Sequence, residues 1–128
     1  MNQESSKIKS FTDLRAWQLG HRLILEIYRI SQLFPKEEQF GLTSQLRRAT
    51  VSITSNMAEG FSRNSYKEKA QFYTTALGSL SEVQNQLLIA HDIEYFASVQ
   101  FDTIARQTME VSKVTNGLIK SSRLIHNS

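Results

Sequence analysis

Apolar residues between Leu14 and Ile30 recur at three- and four-residue steps, yet they fall into two arcs of a helical wheel. Leu14, Trp17, Ile24, Leu25 and Tyr28 share one side, and Leu19, Leu23, Ile27 and Ile30 lie nearly opposite. The spacing predicts a first helix over residues 13–33, capped at Thr12 or Asp13 and stopped by Pro35. Leu42, Leu46, Ala49, Ile53 and Met57 predict a second helix over 41–60, closed by Gly60 because a residue without Cβ reaches the left-handed conformation. Ser65 to Glu68 reads as a capping box that opens a third helix over 66–91. Its apolar stripe is Tyr66, Ala70, Tyr73, Leu77, Leu80, Val83, Leu87 and Leu88. HDIEYFAS reads as a connector, after which Ser98 caps a fourth helix running through Lys120 or a little beyond, with Phe101, Ile104, Ala105, Val111, Leu118 and Ile119 as its core positions.

Four helices joined by short turns most simply form an up-down-up-down antiparallel four-helix bundle, so the predicted class is all-α. A chain of 128 residues fits one domain over 1–128, with flexible tails at 1–10 and 122–128. One proline and five glycines punctuate too little for a many-stranded β protein. A helix apolar on two faces is either surrounded or shared between copies, and in a four-helix bundle each helix keeps an exposed side. The arc Leu19, Leu23, Ile27 and Ile30 is therefore expected to be an oligomer interface in a homo-oligomeric barrel.

Composition excludes some chemistry. The absence of cysteine removes disulfides and thiolates, and no apolar run is long enough to span a bilayer. The polar start MNQESSKIKS lacks the core of a signal peptide, so a cytoplasmic protein without membrane contact is expected. No Glu is followed by His three places on, as a di-metal bundle requires, and His21, His91 and His126 lie in different segments. There is no phosphate loop of the GxxxxGK[ST] type, no GxSxG elbow, and no serine with a recognisable base. The expectation is no enzyme, no metal and no cofactor.

Two polar patterns remain. Gln45, Arg48, Ser52, Asn56 and Glu59 share one side of the second helix, and read as a buried network that sets helix register against Ser79 or Glu82, or alternatively as a small binding pocket. Arg15, Arg22 and Arg29 are spaced by seven, as are Arg106, Lys113 and Lys120, so each trio makes a nearly straight basic stripe, interrupted by Glu26 and Glu110. Arg47, Arg63, Lys67 and Lys69 add charge around the hairpin, and the formal net charge is +3. Such an array suits a phosphate backbone without any base-reading motif, whereas the bland alternative is a solvated face.

The run FPKEEQFGLTSQLRRATVSITSNMAEGFSR, followed by ALGSLSEVQNQL, resembles the signature of the four-helix-bundle proteins encoded in intervening sequences of bacterial 23S ribosomal RNA genes. The resemblance covers about residues 14–118. Those proteins are similar in turn to accessory proteins of diversity-generating retroelements, which form pentameric barrels and associate with nucleic acid and a reverse transcriptase. The resemblance thus implies a fold and a homopentamer, and no activity. Many relatives carry Pro where this chain has Thr54, which implies a straighter, fully hydrogen-bonded second helix here. The leading expectation is a non-enzymatic homo-oligomer that binds structured nucleic acid, RNA first, through its basic helix faces. The alternative is a protein-interaction scaffold or accessory subunit with no direct nucleic-acid contact.

Overall fold

The computed structural model describes residues 8–127. A 3-10 turn, Phe11–Asp13, precedes α1, Arg15–Ser31; a second, Lys36–Glu38, precedes α2, Leu42–Phe61; α3 is Tyr66–Asp92 and α4 is Ser98–Asn127. Among the described residues there is no strand, so the all-helical class and the four predicted helices hold. α1 packs on α2 and α4, and α3 packs on the same two helices. Gly20 faces Thr54 while Arg47 bonds Ser31; Ser52 bonds Ser79 while Gly60 faces Tyr73. Gln84 bonds Thr108 while His91 bonds Ser98. In each of these pairs residue numbers rise on one helix as they fall on its neighbour.

Helix ends differ from the sequence reading in informative ways. α1 has no side-chain cap of its own at Leu14; the cap stands earlier, at Ser10, whose hydroxyl accepts from the Thr12 amide at 3.3 Å. Asp13 closes that box by accepting from the Ser10 amide at 3.1 Å and the Lys9 amide at 2.9 Å, and these two bonds hold its carboxyl below the usual range. Lys9 and Ser10 are thus tied down, and residues 1–7 of the expected N-terminal tail lie outside the described residues. At Ser65 the hydroxyl accepts from the Glu68 amide at 3.1 Å, but the Glu68 carboxylate returns to that hydroxyl, also at 3.1 Å. α4 continues through the segment 122–127 that the sequence analysis treats as a tail, and Ser122 is buried. The core stripe of α4 explains why its last turns look like a tail in the sequence: Ile104, Val111 and Ile119 alternate with Thr108, Thr115 and Ser122. Their hydroxyls donate to the helix's own carbonyls at Ala105, Val111 and Leu118, so half of a buried stripe looks polar in the sequence.

Gly60 does not end α2 by a left-handed turn. No glycine has positive φ, and the helix runs one residue further before Ser62 closes it, its hydroxyl donating to the Glu59 carbonyl at 2.7 Å. The glycine is needed for packing: a Cβ there would lie 2.7 Å from Tyr73 Cε1 and 3.0 Å from Phe72 Cβ. The buried Tyr73 hydroxyl is pushed up to about 12 by loss of solvation. Gly20 plays the same part on α1, where a Cβ would meet Thr54 Cγ2 at 2.9 Å. α2 is unbroken through Thr54, whose hydroxyl donates to the Val51 carbonyl at 3.2 Å.

The largest correction concerns α1. Leu19, Leu23, Ile27 and Ile30, expected at a surface shared between copies, are buried in the chain's own core with Leu46, Ile53, Met57, Leu80, Val83, Ile104 and Val111. The opposite arc is the more exposed one, with Leu25 at 58% and Tyr28 at 39%. Both arcs are apolar, but the buried one also carries Gly20, and this small residue lets Ile53, Thr54 and Met57 of α2 come close.

The two connections at one end of the bundle are pinned together. Phe34 packs on Tyr95 and Phe96, with ring centroids 5.4 and 6.0 Å apart, and the Tyr95 hydroxyl donates to Glu38 at 2.7 Å. The Glu38 carboxylate also accepts from the Leu42 amide at 3.2 Å. The Tyr95 bond first, then the Leu42 amide, lowers the Glu38 pKa, and the same Glu38 bond raises that of Tyr95. A lowered carboxylate contributes stability above its unfolded value, about 4.3, which is lost as pH falls through the lower folded value. A raised phenol contributes below its unfolded value, about 10, and that part is lost as pH rises through the folded one. Tyr95→Phe is expected to flatten the pH dependence of Tm on both flanks, and thermal melts between pH 2 and 5 and between pH 9 and 11 check it; parallel curves for the two chains would contradict the link.

Candidate nucleic-acid interface

The basic residues divide by what they already touch. Arg47 is half-buried: its Nε donates to Ser31 Oγ at 2.8 Å and its guanidinium lies 4.7 Å over the Tyr28 ring, so it closes the α1–α2 seam. Arg63 bonds Glu59 at 2.8 Å and lies 4.5 Å over Phe72, and its Nε is buried without a partner. Lys69 donates to the Phe61 carbonyl at 2.6 Å, and burial lowers its pKa. The charges that surround the hairpin in sequence are therefore largely occupied in holding α2 to its neighbours.

The stripes are freer. Arg29 is bonded to Glu26, which raises its pKa, and Arg15 lies 3.9 Å from Glu110 across the α1–α4 seam. Arg22, Arg106, Lys113 and Lys120 are exposed, and among the described residues none has a carboxylate within 4.0 Å. Arg123, one turn beyond Lys120, belongs to the same class. It was legible as a three-residue step from Lys120, but only had the fourth helix been read past that residue.

The polar constellation on α2 comes together only in its middle. Ser52 and Ser79 share a hydrogen bond of 2.8 Å, and Asn56 Nδ2 donates to the Ser52 carbonyl and hydroxyl at 2.8 and 3.1 Å. Gln45 and Arg48 are exposed, and Glu59 is exposed and paired with Arg63. Short side chains fit the seam between α2 and α3, while the long ones reach water. The trio links α2 to α3 through the Ser52–Ser79 bond, and of the five expected network residues only Ser52 and Asn56 take part in it.

One arrangement escaped the sequence analysis. His91 Nδ1 lies 3.1 Å from Asp92 and Nε2 lies 3.1 Å from Ser98 Oγ, with the ring stacked on Phe101 at 4.4 Å. The order is that of a carboxylate, imidazole and hydroxyl relay, so Ser98 does have a histidine neighbour. The Asp92 side chain is 74% exposed and beside its partner in sequence, which makes it a hydrated contact rather than a fixed orienting group. What the cluster does physically is join the end of α3 to the first turn of α4, across a connection in which Glu94 takes a left-handed φ of 65°. His21 stacks on Trp17 at 4.7 Å, so the three histidines sit on three separate helices. Among the described residues, no helix is long and apolar enough to cross a membrane.

Helix pairing also sorts charge along the bundle. The end joined by Phe34, Glu38 and Tyr95 carries Glu37, Glu38, Asp92 and Glu94 beside Lys36. At the opposite end, α4 extends past the start of α1 and lies against the first turns of α3, so that Lys67 shares a groove with Arg123 and His126. Against this frame the profile of the family described as 23S rRNA-intervening sequence protein matches residues 12–117. The chain belongs to that family.

A crystal structure of a protein of unknown function from the S23 ribosomal protein family of Bacteroides thetaiotaomicron has the same fold, with a TM-score of 0.75 at 21% identity, over 82% of this chain and 95% of that one. No curated protein sequence matches the chain. Within the 23S rRNA-intervening sequence protein match lie both arcs of α1, the Ser52–Asn56–Ser79 cluster and the cations from Arg15 to Lys113. Lys120, Arg123 and His126 lie beyond it.

Proposed function

We propose that this chain is a non-enzymatic, homo-oligomeric helical bundle that binds structured nucleic acid, RNA foremost, through the exposed faces of α1 and α4. The observation that carries the reading is the set of cations Arg22, Arg106, Lys113 and Lys120, exposed on those two helices with no carboxylate partner among the described residues. Cations left unpaired on a surface are the ones that can displace counterions from a phosphate backbone. The helix pairings support an up-down-up-down antiparallel arrangement, which sets α1 and α4 side by side. The resemblance to the pentameric barrels of retroelement accessory proteins favours five copies, and the reading places them in the cytoplasm. Tyr28 on α1 and Val51 on α2, one turn from Arg47, leave apolar surface beside the α1–α2 seam, and Leu25 adds to it on the outward arc of α1, a surface that a second copy would cover.

Affinity for a structured RNA is expected to fall by about 0.7–0.9 log units per tenfold rise in salt for each phosphate neutralised. Arg22→Gln with Lys113→Gln should lower that slope by roughly 1.5 and weaken all RNAs alike, since charge contacts position a nucleic acid without reading bases. Arg47→Gln and Arg63→Gln should leave the slope unchanged and lower Tm, because those side chains hold helices together. Fluorescence anisotropy at several salt concentrations, beside light scattering, makes the comparison. A chain freed of co-purifying nucleic acid that binds neither RNA nor DNA at low salt would point to the protein scaffold, and a monomer at every concentration would remove the assembly.

A further inference from the structure

Six residues close a groove at the basic end of the bundle: Lys67, Ala70, Gln71 and Thr74 from α3, and Arg123 and His126 from α4, around a volume of about 360 Å³. The α3 residues follow one helix face at three- and four-residue steps, and Arg123 and His126 are three apart on the facing helix. Ala70 is buried and forms the floor, where its small side chain lets α4 come close. Among the described residues no carboxylate lines the groove, and neither Lys67, Arg123 nor His126 has one within 4.0 Å. The Thr74 hydroxyl is turned to the Ala70 carbonyl at 2.8 Å, which leaves the Lys67 ammonium, the Gln71 amide, the Arg123 guanidinium and the His126 ring as the available donors.

We infer that this groove binds a phosphate group of a nucleic acid, an inference that rests on the nucleic-acid reading above for its ligand but on the groove alone for its chemistry. What sets this groove apart from the exposed stripes is convergence: an ammonium, a guanidinium and an imidazole from two helices line one space, and among the described residues no carboxylate lines it with them. A guanidinium offers a planar pair of donors and an ammonium a compact charge, and both match phosphate oxygens. The volume lies within the range of ligand sites and exceeds what a lone ion fills, which leaves room for the sugar that carries the phosphate. Arg123 also lines the next groove along α4, with Asn116, Ile119, Lys120 and Leu124, so a strand held here continues toward the stripe at Lys120. Arg123 and His126 fall outside the span matched by the family profile.

The test is a titration of the isotopically labelled full chain with inorganic phosphate at constant ionic strength, followed by amide NMR. The expected result is saturable shifts confined to residues 66–75 and 116–126, with Arg123→Gln or Lys67→Gln weakening binding about tenfold, the loss of one charge-assisted bond, and Lys36→Gln, at the other end of the bundle, changing nothing. Shifts spread equally over α1 and α4, or an Arg123→Gln chain that titrates like the parent, would overturn the site. Two RNA hairpins of one sequence, with a 5′-phosphate or a 5′-hydroxyl, then separate the sources. A preference for the phosphorylated hairpin that Arg123→Gln erases assigns a terminal phosphate; equal binding of both, competed by inorganic phosphate, assigns an internal one. RNA binding that inorganic phosphate does not compete would overturn the nucleic-acid ligand. Because the phosphate titration contains no RNA, a chain that takes phosphate and no RNA keeps the groove and loses the function proposed above.

Discussion

Chains carrying Leu23→Glu or Ile27→Glu are expected to lose the cooperative thermal transition and most of their helical circular dichroism. Both side chains are wholly enclosed between α1 and its neighbours, and no cation lies in the core cluster around them. A carboxylate there has neither water nor a partner, and the cost, about 4–5 kcal/mol or more, is comparable to the whole stability of a domain of this size. Leu25→Glu is the control. It lies two residues away on the same helix but on the outward arc, so its effect on Tm should be within the small range of surface changes, about 0.5 kcal/mol. If the outward arc around Leu25 is where copies meet, that variant alone shifts the mass measured by light scattering while the fold persists. A Leu23→Glu chain that melted normally and merely changed mass would return the interface to the arc where the sequence analysis expects it.

Gly60→Val is expected to destabilise the bundle by about 3 kcal/mol, at the upper end of overpacking effects. The first carbon added would already sit 2.7 Å from the Tyr73 ring, and Tyr73 is 2% exposed, so the ring has nowhere to turn. The two methyls of valine would then force α2 and α3 apart along a seam that also holds Ser52 and Ser79. Gly78→Ala and Gly117→Ala should do the opposite. Each lies inside a helix with nothing within 4 Å of the new carbon, so only the backbone entropy of glycine is removed, for a gain of about 0.5–1 kcal/mol apiece. Chemical denaturation of the three variants reads both signs; a stable Gly60→Val chain would mean that the glycine is incidental to the α2–α3 contact.

These contrasts show where local pattern stops being sufficient. Gly60, Gly78 and Gly117 look alike in the sequence, and a glycine near the end of a helical pattern is reasonably read as a terminator. The clash that distinguishes Gly60 comes from Tyr73, thirteen positions on and brought back by the hairpin. The basic residues follow the same logic. Arg47 and Arg22 are equally charged in the sequence, but Arg47 lies beside Ser31 and the Tyr28 ring, which occupies it, whereas Arg22 faces outward with no such neighbour. Arg123 and His126 were missed because the last core positions of α4 are Thr115, Ile119 and Ser122, and a stripe whose hydroxyls satisfy themselves within the helix has a weak apolar period.

What the sequence determines alone is therefore what is local or periodic. The four helices, the stop at Pro35, the cap at Ser65, the aliphatic stripes of α2 and α3 and the basic stripes of α1 and α4 all depend on residues within a few turns of one another. Which arc of α1 faces inward, which glycines are contacts, which cations are already engaged, and that Lys67 meets Arg123 and His126 across a groove were decided only by tertiary structure. The physical reason is common to all four: each depends on distances between helices, and a helical wheel specifies the face a residue occupies without specifying the helix that will cover it.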